Sequence, residues 1–172
     1  MKNLLVVVDY QVDFVQGSLG NENALKIYPN ILDVVNKFKE NNDDIIFTKD
    51  THENNYLNTI EGKNLPIIHC LKNSEGHKLY KDLENISKSY TVINKKTFPS
   101  IDLINVLKNK EYEEIYVCGV VTNICVISNA IILKAIYPNT NINIIKSCCA
   151  SNDLELESKS FDIMKNLHFN II

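Results

Sequence analysis

Short runs of consecutive apolar residues recur along the chain and predict strands that are buried on both faces. They cover residues 4–9, 45–50, 90–95, 115–119 and 142–146, and the tail 169–172 forms a sixth candidate. Unalternated runs rich in Val and Ile are typical of parallel sheets, in which helices cover both faces. Several of these runs stop at a charged residue, so charged side chains are expected where the strands end.

Segments whose apolar residues recur with the period of an α-helix lie between the predicted strands. One apolar stripe falls within residues 31–38 with Pro29 in the first turn, and another falls within 101–107. Residues 124–136 are apolar nearly all round, which predicts the most buried helix. Residues 153–167 form the last helix, with Ser151, Asn152 and Asp153 as N-cap candidates. This β–α alternation predicts one α/β domain over residues 1–172, with three layers and a six-stranded, mostly parallel, Rossmann-like sheet.

Composition narrows the classes of protein that fit this pattern. All 18 basic residues are Lys against 21 acidic residues, so the chain lacks the Arg-rich basic patch of nucleic-acid-binding proteins. No apolar run reaches the ~20 residues that span a bilayer, and the first residues do not form a signal peptide. The five Cys form no C-x-x-C pair, which favours reduced thiols in the cytoplasm.

The segment 118–125 runs from a predicted strand end into the apolar helix and carries a candidate nucleophile. Cys125 would lie in the first helical turn, where unpaired N–H groups and the helix dipole favour a thiolate. The same N–H groups could bind an oxyanion. The alternative is a buried Cys that only packs against the sheet.

Two further strand ends supply charges that suit a nucleophilic Cys. Asp9 and Lys95 each end a strand that we expect to lie beside the strand leading to Cys125. A carboxylate accepts the thiol proton and an ammonium stabilises the thiolate. Taken singly, Asp9 could be a strand-end cap and Lys95 a surface residue.

The long irregular segment 51–78 contains the residues that suit a metal. Asp50 directly precedes it, and His52, His69 and, between them, Glu61 or Glu53 lie within it, a set that suits zinc, iron or manganese. The alternative is a loop with two unrelated His. His77 and His168 are interpreted as surface residues.

Four ordered segments together resemble the isochorismatase-like cysteine hydrolases, and the nicotinamidase branch in particular. Residues 7–14 (VVDYQVDF) resemble the family's opening motif, 94–100 (NKKTFPS) its lysine motif and 118–126 (CGVVTNICV) its nucleophile segment. Asp50-Thr51-His52, Glu61 and residues 66–70 (PIIHC) resemble the metal loop of the nicotinamidases. The resemblance extends over almost the whole chain.

The resemblance implies a function and a role for each of these residues. It implies hydrolysis of a small aromatic carboxamide, nicotinamide first, by a Cys125 nucleophile with Asp9 as general base and acid and Lys95 as electrostatic partner. It also implies a cis peptide at Val120–Val121 beside the oxyanion site and Phe14 as a wall of the ring pocket. The implied metal, zinc before iron or manganese, is held by Asp50, His52, His69 and, as fourth ligand, Glu61.

The sequence also departs from the family pattern and leaves alternatives open. Asn123 stands where Asp is usual, Pro99 where Gly is common, and Glu61 where some relatives use His. A related small-amide hydrolase and a catalytically silent binding protein are the alternatives. Isochorismate cleavage is disfavoured, because no Arg is present to hold its carboxylates. Self-association as a homo-oligomer is left open.

Overall fold

The computed structural model describes residues 1–172 and confirms a six-stranded sheet in which every pair is parallel. The strands are β1 (Leu4–Val8), β2 (Asp44–Asp50), β3 (Thr91–Lys95), β4 (Glu114–Val120), β5 (Asn141–Ala150) and β6 (Asn170–Ile171). Their order across the sheet is β3-β2-β1-β4-β5-β6, as in Rossmann-like proteins. The chain therefore reverses direction across the sheet between β1 and β4, the position at which such sheets bind ligands.

Eight helices surround the sheet. They are α1 (Val12–Val15), α2 (Glu22–Lys26), α3 (Tyr28–Glu40), α4 (Ile60–Asn64), α5 (Asp82–Ser87), α6 (Asp102–Leu107), α7 (Ile127–Ile136) and α8 (Leu154–Asn166). A 3₁₀ turn covers Tyr56–Asn58 and a π-helical turn, Thr122–Val126, precedes α7. No helix is long and apolar enough to cross a membrane.

Two apolar cores lie on opposite faces of the sheet and complete the three predicted layers. One core contains residues of α3 and α5, including Ile31, Val35 and Leu83. The other contains residues of α6, α7 and α8, which cover the opposite face. Strand β1 contributes alternate residues to both cores, which explains why its sequence is apolar without alternation.

The predicted helices are confirmed, with differences at their ends. Asp153 is the N-cap of α8, where its carboxylate accepts a hydrogen bond from the Leu156 N–H at 2.9 Å. Pro29 lies in the first turn of α3. The predicted helix 124–136 is interrupted, because residues 122–126 form the π-helical turn and only Ile127–Ile136 is α-helical. The short helices α1, α2, α4 and α5 were not predicted, because each is too short to show a period.

Candidate active site

Residues that end neighbouring strands meet at one edge of the sheet. Asp9 follows β1 directly, Asp50 ends β2, Lys95 ends β3, and Cys125 lies in the π-helical turn after β4. Strand β1 does lie beside β4, as expected for Asp9. The expectation for Lys95 is wrong, because β2 and β1 separate its strand from β4. Its long side chain nevertheless spans that distance and reaches Cys125.

The ammonium group of Lys95 lies between two carboxylates and the thiol. Its Nζ is 2.5 Å from Asp9 Oδ2, 3.3 Å from Asp50 Oδ1 and 3.6 Å from Cys125 Sγ. Asp9, Lys95 and Cys125 are at most 5% exposed. Thr48 fixes Asp9 from the other side, since its hydroxyl donates to Asp9 Oδ1 at 2.7 Å. The arrangement places a proton acceptor and a cation beside one thiol.

The electrostatics of this group determine where the protons reside before substrate binds. Burial raises the pKa of Asp9, and the charge of Lys95 opposes that rise. Burial also raises the pKa of Cys125 well above its ordinary range; Lys95 lowers it, while Asp9 and Asp50 raise it further. Cys125 is therefore a thiol in the resting protein. Burial and the two carboxylates thus act against the thiolate that the helical turn was expected to favour.

A second group of side chains adjoins the first through Asp50. One ligand atom from each of Asp50, His52, Glu61 and His69 lies within 4.8 Å of the other three. His52 Nε2 is 2.9 Å from Asp50 Oδ2 and 3.6 Å from Glu61 Oε1, and His69 Nε2 is 3.4 Å from Asp50 Oδ2. The structure thus brings together the four residues that the sequence proposed as metal ligands.

The hydrogen bonding of His69 suits metal binding. Its Nδ1 lies 2.8 Å from the Ile67 carbonyl oxygen, so this nitrogen donates, and Nε2 is the ring nitrogen that faces the cluster. A hydrogen bond from the nitrogen that does not bind the metal fixes the tautomer and the ring orientation of metal-binding histidines. Two imidazoles and two carboxylates form a donor set that fits zinc, iron or manganese.

Two polar residues of the opening motif hold this edge of the sheet together, and sequence reasoning assigned neither a role. The fully buried Gln11 accepts from the Asp50 N–H at 2.7 Å and donates to the carbonyl oxygens of Asp50 and His77. Asp13 accepts from the Cys70 N–H at 2.7 Å, next to His69. Their only signal was a Gln and an Asp within an otherwise apolar opening segment.

His77 is buried, contrary to its interpretation as a surface residue. Its Nε2 lies 2.8 Å from the Thr51 hydroxyl, and Gln11 binds its carbonyl oxygen. Burial lowers the pKa of His77 to about 4, with Lys49 adding to the effect. His77 is therefore neutral at physiological pH and packs the loop against the end of β2.

A cavity of about 210 Å³ connects the two groups of side chains. Its lining includes Cys125 from the first group and Asp50, Glu61 and His69 from the second. The remaining lining residues are Phe14, Leu19, Leu65, Phe98, Val121, Ile124 and Asn152. The cavity is smaller than the roughly 300–1,000 Å³ that drug-sized ligands occupy, so it suits a molecule of one ring. Of these seven residues, the sequence assigned only Phe14 and Val121 to the site, because the others lie in loops and turns whose course no periodicity describes.

The backbone before Cys125 has an unusual course. The Val120–Val121 peptide bond is cis, and Gly119 has a φ of 125°, a conformation that favours glycine. A Cβ at Gly119 would clash with the Val8 carbonyl oxygen of the neighbouring strand. The Val121 N–H donates no hydrogen bond to the backbone, which leaves a donor at the cavity wall.

Asn123 has a defined partner in the turn that carries Cys125. Its Oδ1 accepts from the Ser151 hydroxyl at 2.5 Å, and Ser151 Oγ accepts in turn from the Asp153 N–H. The amide oxygen needs only to accept here, so Asn replaces Asp without leaving the Ser151 hydroxyl unpaired.

The comparisons with known proteins agree with this geometry. Residues 3–172 match the isochorismatase domain, so the chain belongs to the isochorismatase family.

Solved structures similar to this one include amidases of small molecules. A pyrazinamidase/nicotinamidase from Streptococcus mutans UA159 is 26% identical, with a TM-score of 0.88 over 99% of this chain and 100% of that one. A pyrazinamidase of Pyrococcus horikoshii in complex with zinc is 27% identical, with a TM-score of 0.85 over 100% and 99%. An N-carbamoylsarcosine amidase from Thermoplasma acidophilum is 20% identical, with a TM-score of 0.80 over 99% and 95%, which is a likeness of fold.

Proposed function

We propose that this isochorismatase-family hydrolase cleaves a small aromatic carboxamide, nicotinamide first, to its carboxylate and ammonia. One observation carries the proposal: a one-ring cavity is lined both by a thiol that has an acid–base partner and by residues of a histidine–carboxylate cluster. The pyrazinamidase/nicotinamidase of Streptococcus mutans, at 26% identity, supports the choice of substrate.

Asp9, Lys95 and Cys125 are the catalytic residues in this proposal. Because Cys125 rests as a thiol, Asp9 takes its proton as sulfur attacks the carboxamide carbon. Lys95 keeps Asp9 ionised beforehand and stabilises the sulfur as its negative charge develops. The proton on Asp9 then passes to the departing nitrogen, which leaves as ammonia, and the acyl group stays on Cys125 as a thioester.

The second half of the reaction reverses the roles. Water attacks the thioester carbon while Asp9 accepts one of its two protons, and the C–S bond breaks to release the carboxylic acid, which loses its remaining proton to solvent. That proton returns to sulfur and regenerates the resting thiol. The free Val121 N–H, after the cis Val120–Val121 bond, would donate to the oxyanion of each tetrahedral intermediate.

The histidine–carboxylate cluster and Phe14 would bind the aromatic ring of the substrate. Asp50, His52, Glu61 and His69 would hold a divalent metal, with zinc before iron or manganese. Such a metal supplies a Lewis acid for a ring nitrogen. Phe14, whose ring centroid is 5.6 Å from that of His69, would pack against the substrate ring.

Two alternatives remain within reach of the same site. A different small amide would use the same thiol chemistry, since Asp9, Lys95 and Cys125 act on the amide group and not on the ring. A catalytically silent binding protein would keep the cavity and lack a reactive thiol. A cytoplasmic location belongs to the main proposal, since the five Cys are free and buried. The proposed partner of the protein is a small-molecule amide, and neither a nucleic acid nor a membrane is part of the proposal.

The decisive experiment is ammonia release from nicotinamide, with zinc, iron or manganese added in turn and with pyrazinamide and N-carbamoylsarcosine as comparison amides. We expect the fastest release from an aromatic carboxamide. Ammonia release from N-carbamoylsarcosine alone would refute the proposed aromatic substrate and would still support amide hydrolysis by Cys125. If no amide is cleaved, iodoacetamide labelling separates the remaining cases. Selective labelling of Cys125 over the buried Cys118 would mean a different substrate, and the absence of selectivity would favour the binding protein.

A further inference from the structure

Asn129 is a buried polar residue in the most apolar helix of the chain, and the proposed chemistry does not use it. It lies in α7, one helical turn after Cys125, and is 0% exposed. Asn has a low propensity for the interior of a helix, and burying its amide group costs folding free energy unless the group is hydrogen-bonded. Its presence among the apolar residues of α7 therefore calls for partners outside the helix.

The side-chain amide of Asn129 bonds to three main-chain groups. Nδ2 donates to the Cys125 carbonyl oxygen at 2.7 Å and to the Phe98 carbonyl oxygen at 3.0 Å. Oδ1 accepts from the Ser100 N–H at 2.9 Å. The orientation of the amide follows from these partners, because two carbonyls require the NH₂ group and an N–H requires the oxygen.

These bonds join the two segments that carry the proposed catalytic groups. Phe98 and Ser100 belong to the segment that follows Lys95, and Lys95 itself donates to the Thr97 carbonyl oxygen at 3.1 Å. On the other side, Asn129 holds the main chain of Cys125 itself. One amide thus fixes the segment after Lys95 relative to the nucleophile, whose sulfur lies 3.6 Å from Lys95 Nζ.

The segment has few other polar contacts that could hold it in place. Pro99 has no N–H to donate, and the buried Ser100 hydroxyl has no hydrogen-bond partner. The two bonds to Asn129, one from the Ser100 N–H and one to the Phe98 carbonyl oxygen, therefore attach the segment to α7. Phe98 lines the cavity on the same segment, so its main-chain position also depends on Asn129.

We propose that Asn129 is a positioning residue, which sets the relative placement of Lys95 and Cys125 by tying the main chain of residues 98–100 to that of Cys125. The proposal rests on the proposed function of Cys125 as the nucleophile. Asn129 touches neither the thiol nor the cavity, and it acts through the groups that do.

The test compares Asn129→Leu with Asn143→Leu. Leu has the same number and branching of side-chain heavy atoms as Asn but leaves three main-chain groups without their partner. Asn143 is a matched control, because it is also a buried Asn but lies on β5 and bonds to Asn170 of β6, away from the cavity. If Asn129→Leu does not fold, Asn129→Asp replaces it, since this change keeps the oxygen that accepts from Ser100 and removes both donors.

Two readouts are measured on folded protein: kcat and KM for nicotinamide hydrolysis, and the rate at which iodoacetamide labels Cys125. For Asn129→Leu we expect kcat to fall about 10- to 100-fold with KM near the wild-type value, because misplacement of catalytic groups by about 1 Å has effects of this size. We also expect slower labelling of Cys125. Asn143→Leu should lose thermal stability and keep both rates.

The positioning role is overturned if Asn129→Leu keeps the wild-type labelling rate and kcat, or loses no more of either than Asn143→Leu. Failure of the proposed function looks different, because the wild type itself would then release no ammonia from any amide. In that case the labelling comparison alone decides the positioning role.

Discussion

Replacing Lys95 with methionine removes the ammonium that lies between Asp9, Asp50 and Cys125 while keeping the length of the side chain. Asp9 loses the most, because its Oδ2 lies 2.5 Å from Lys95 Nζ and has no other hydrogen-bond partner. Asp50 still has His52 and His69 beside it. The substitution therefore leaves one fully buried carboxylate without its counter-charge.

The loss of folding free energy in Lys95→Met follows from the burial of Asp9. Removing one partner of a buried ion pair costs about 3–5 kcal/mol, because the remaining charge stays in a poorly solvated site. For a chain of this length each kcal/mol lowers the unfolding temperature by about 2–4 °C, so we expect a decrease of roughly 6–20 °C.

The loss of folding free energy in this variant also depends on pH. Burial raises the pKa of Asp9, and in the variant no ammonium opposes the rise. The folded variant then binds a proton that the unfolded chain releases above about pH 4, so the free energy of unfolding falls as pH rises. The difference from wild type is smallest at acidic pH and grows toward neutral pH. A protonated Asp9 also cannot accept the thiol proton, so activity is lost.

Thermal unfolding followed by circular dichroism between pH 4.5 and 8, together with ammonia release, checks both expectations. The control is Lys96→Met, which changes the exposed neighbour. Equal unfolding temperatures and activities for the two variants would refute the argument, as would a destabilisation by Lys95→Met that shrinks as pH rises.

Other substitutions test the backbone and the metal cluster. Gly119→Ala should cost at least about 1–3 kcal/mol of folding free energy, because of its positive φ and the clash with Val8; an unchanged midpoint in denaturant would be inconsistent with that close approach. His69→Ala should bind zinc about 10- to 100-fold more weakly than wild type in a competition assay with a chelator, and His168→Ala should bind it normally; equal affinities would remove His69 from the ligand set.

The sequence predicted the sheet well because buried parallel strands leave a direct signal. The central strands β1, β2 and β4 are largely buried along their length, and the charged residues Asp9, Asp50 and Lys95 at the ends of β1, β2 and β3 mark one edge of the sheet. The order of the strands leaves no such signal. The strand of Lys95 was therefore expected next to the strand that leads to Cys125, whereas β2 and β1 lie between them. The length of its side chain compensates for the distance.

The parts of the site that escaped prediction depend on tertiary contacts. The resting protonation of Cys125 follows from burial beside two carboxylates, which local helix geometry does not reveal. The cavity walls Leu65 and Phe98 come from irregular segments whose course no periodicity describes. Asn129 is one of three polar residues in α7, with Ser128 and Lys134, and only its three tertiary and main-chain bonds distinguish it from them.

The central claim is that the sulfur of Cys125 attacks the carboxamide, and ammonia release by Cys125→Ala tests it most directly. Cys149→Ala is the control, since Cys149 is also buried in the same core but does not line the cavity. The account predicts that Cys125→Ala folds normally and releases no ammonia, while Cys149→Ala stays active. Turnover by folded Cys125→Ala at the wild-type rate would contradict it.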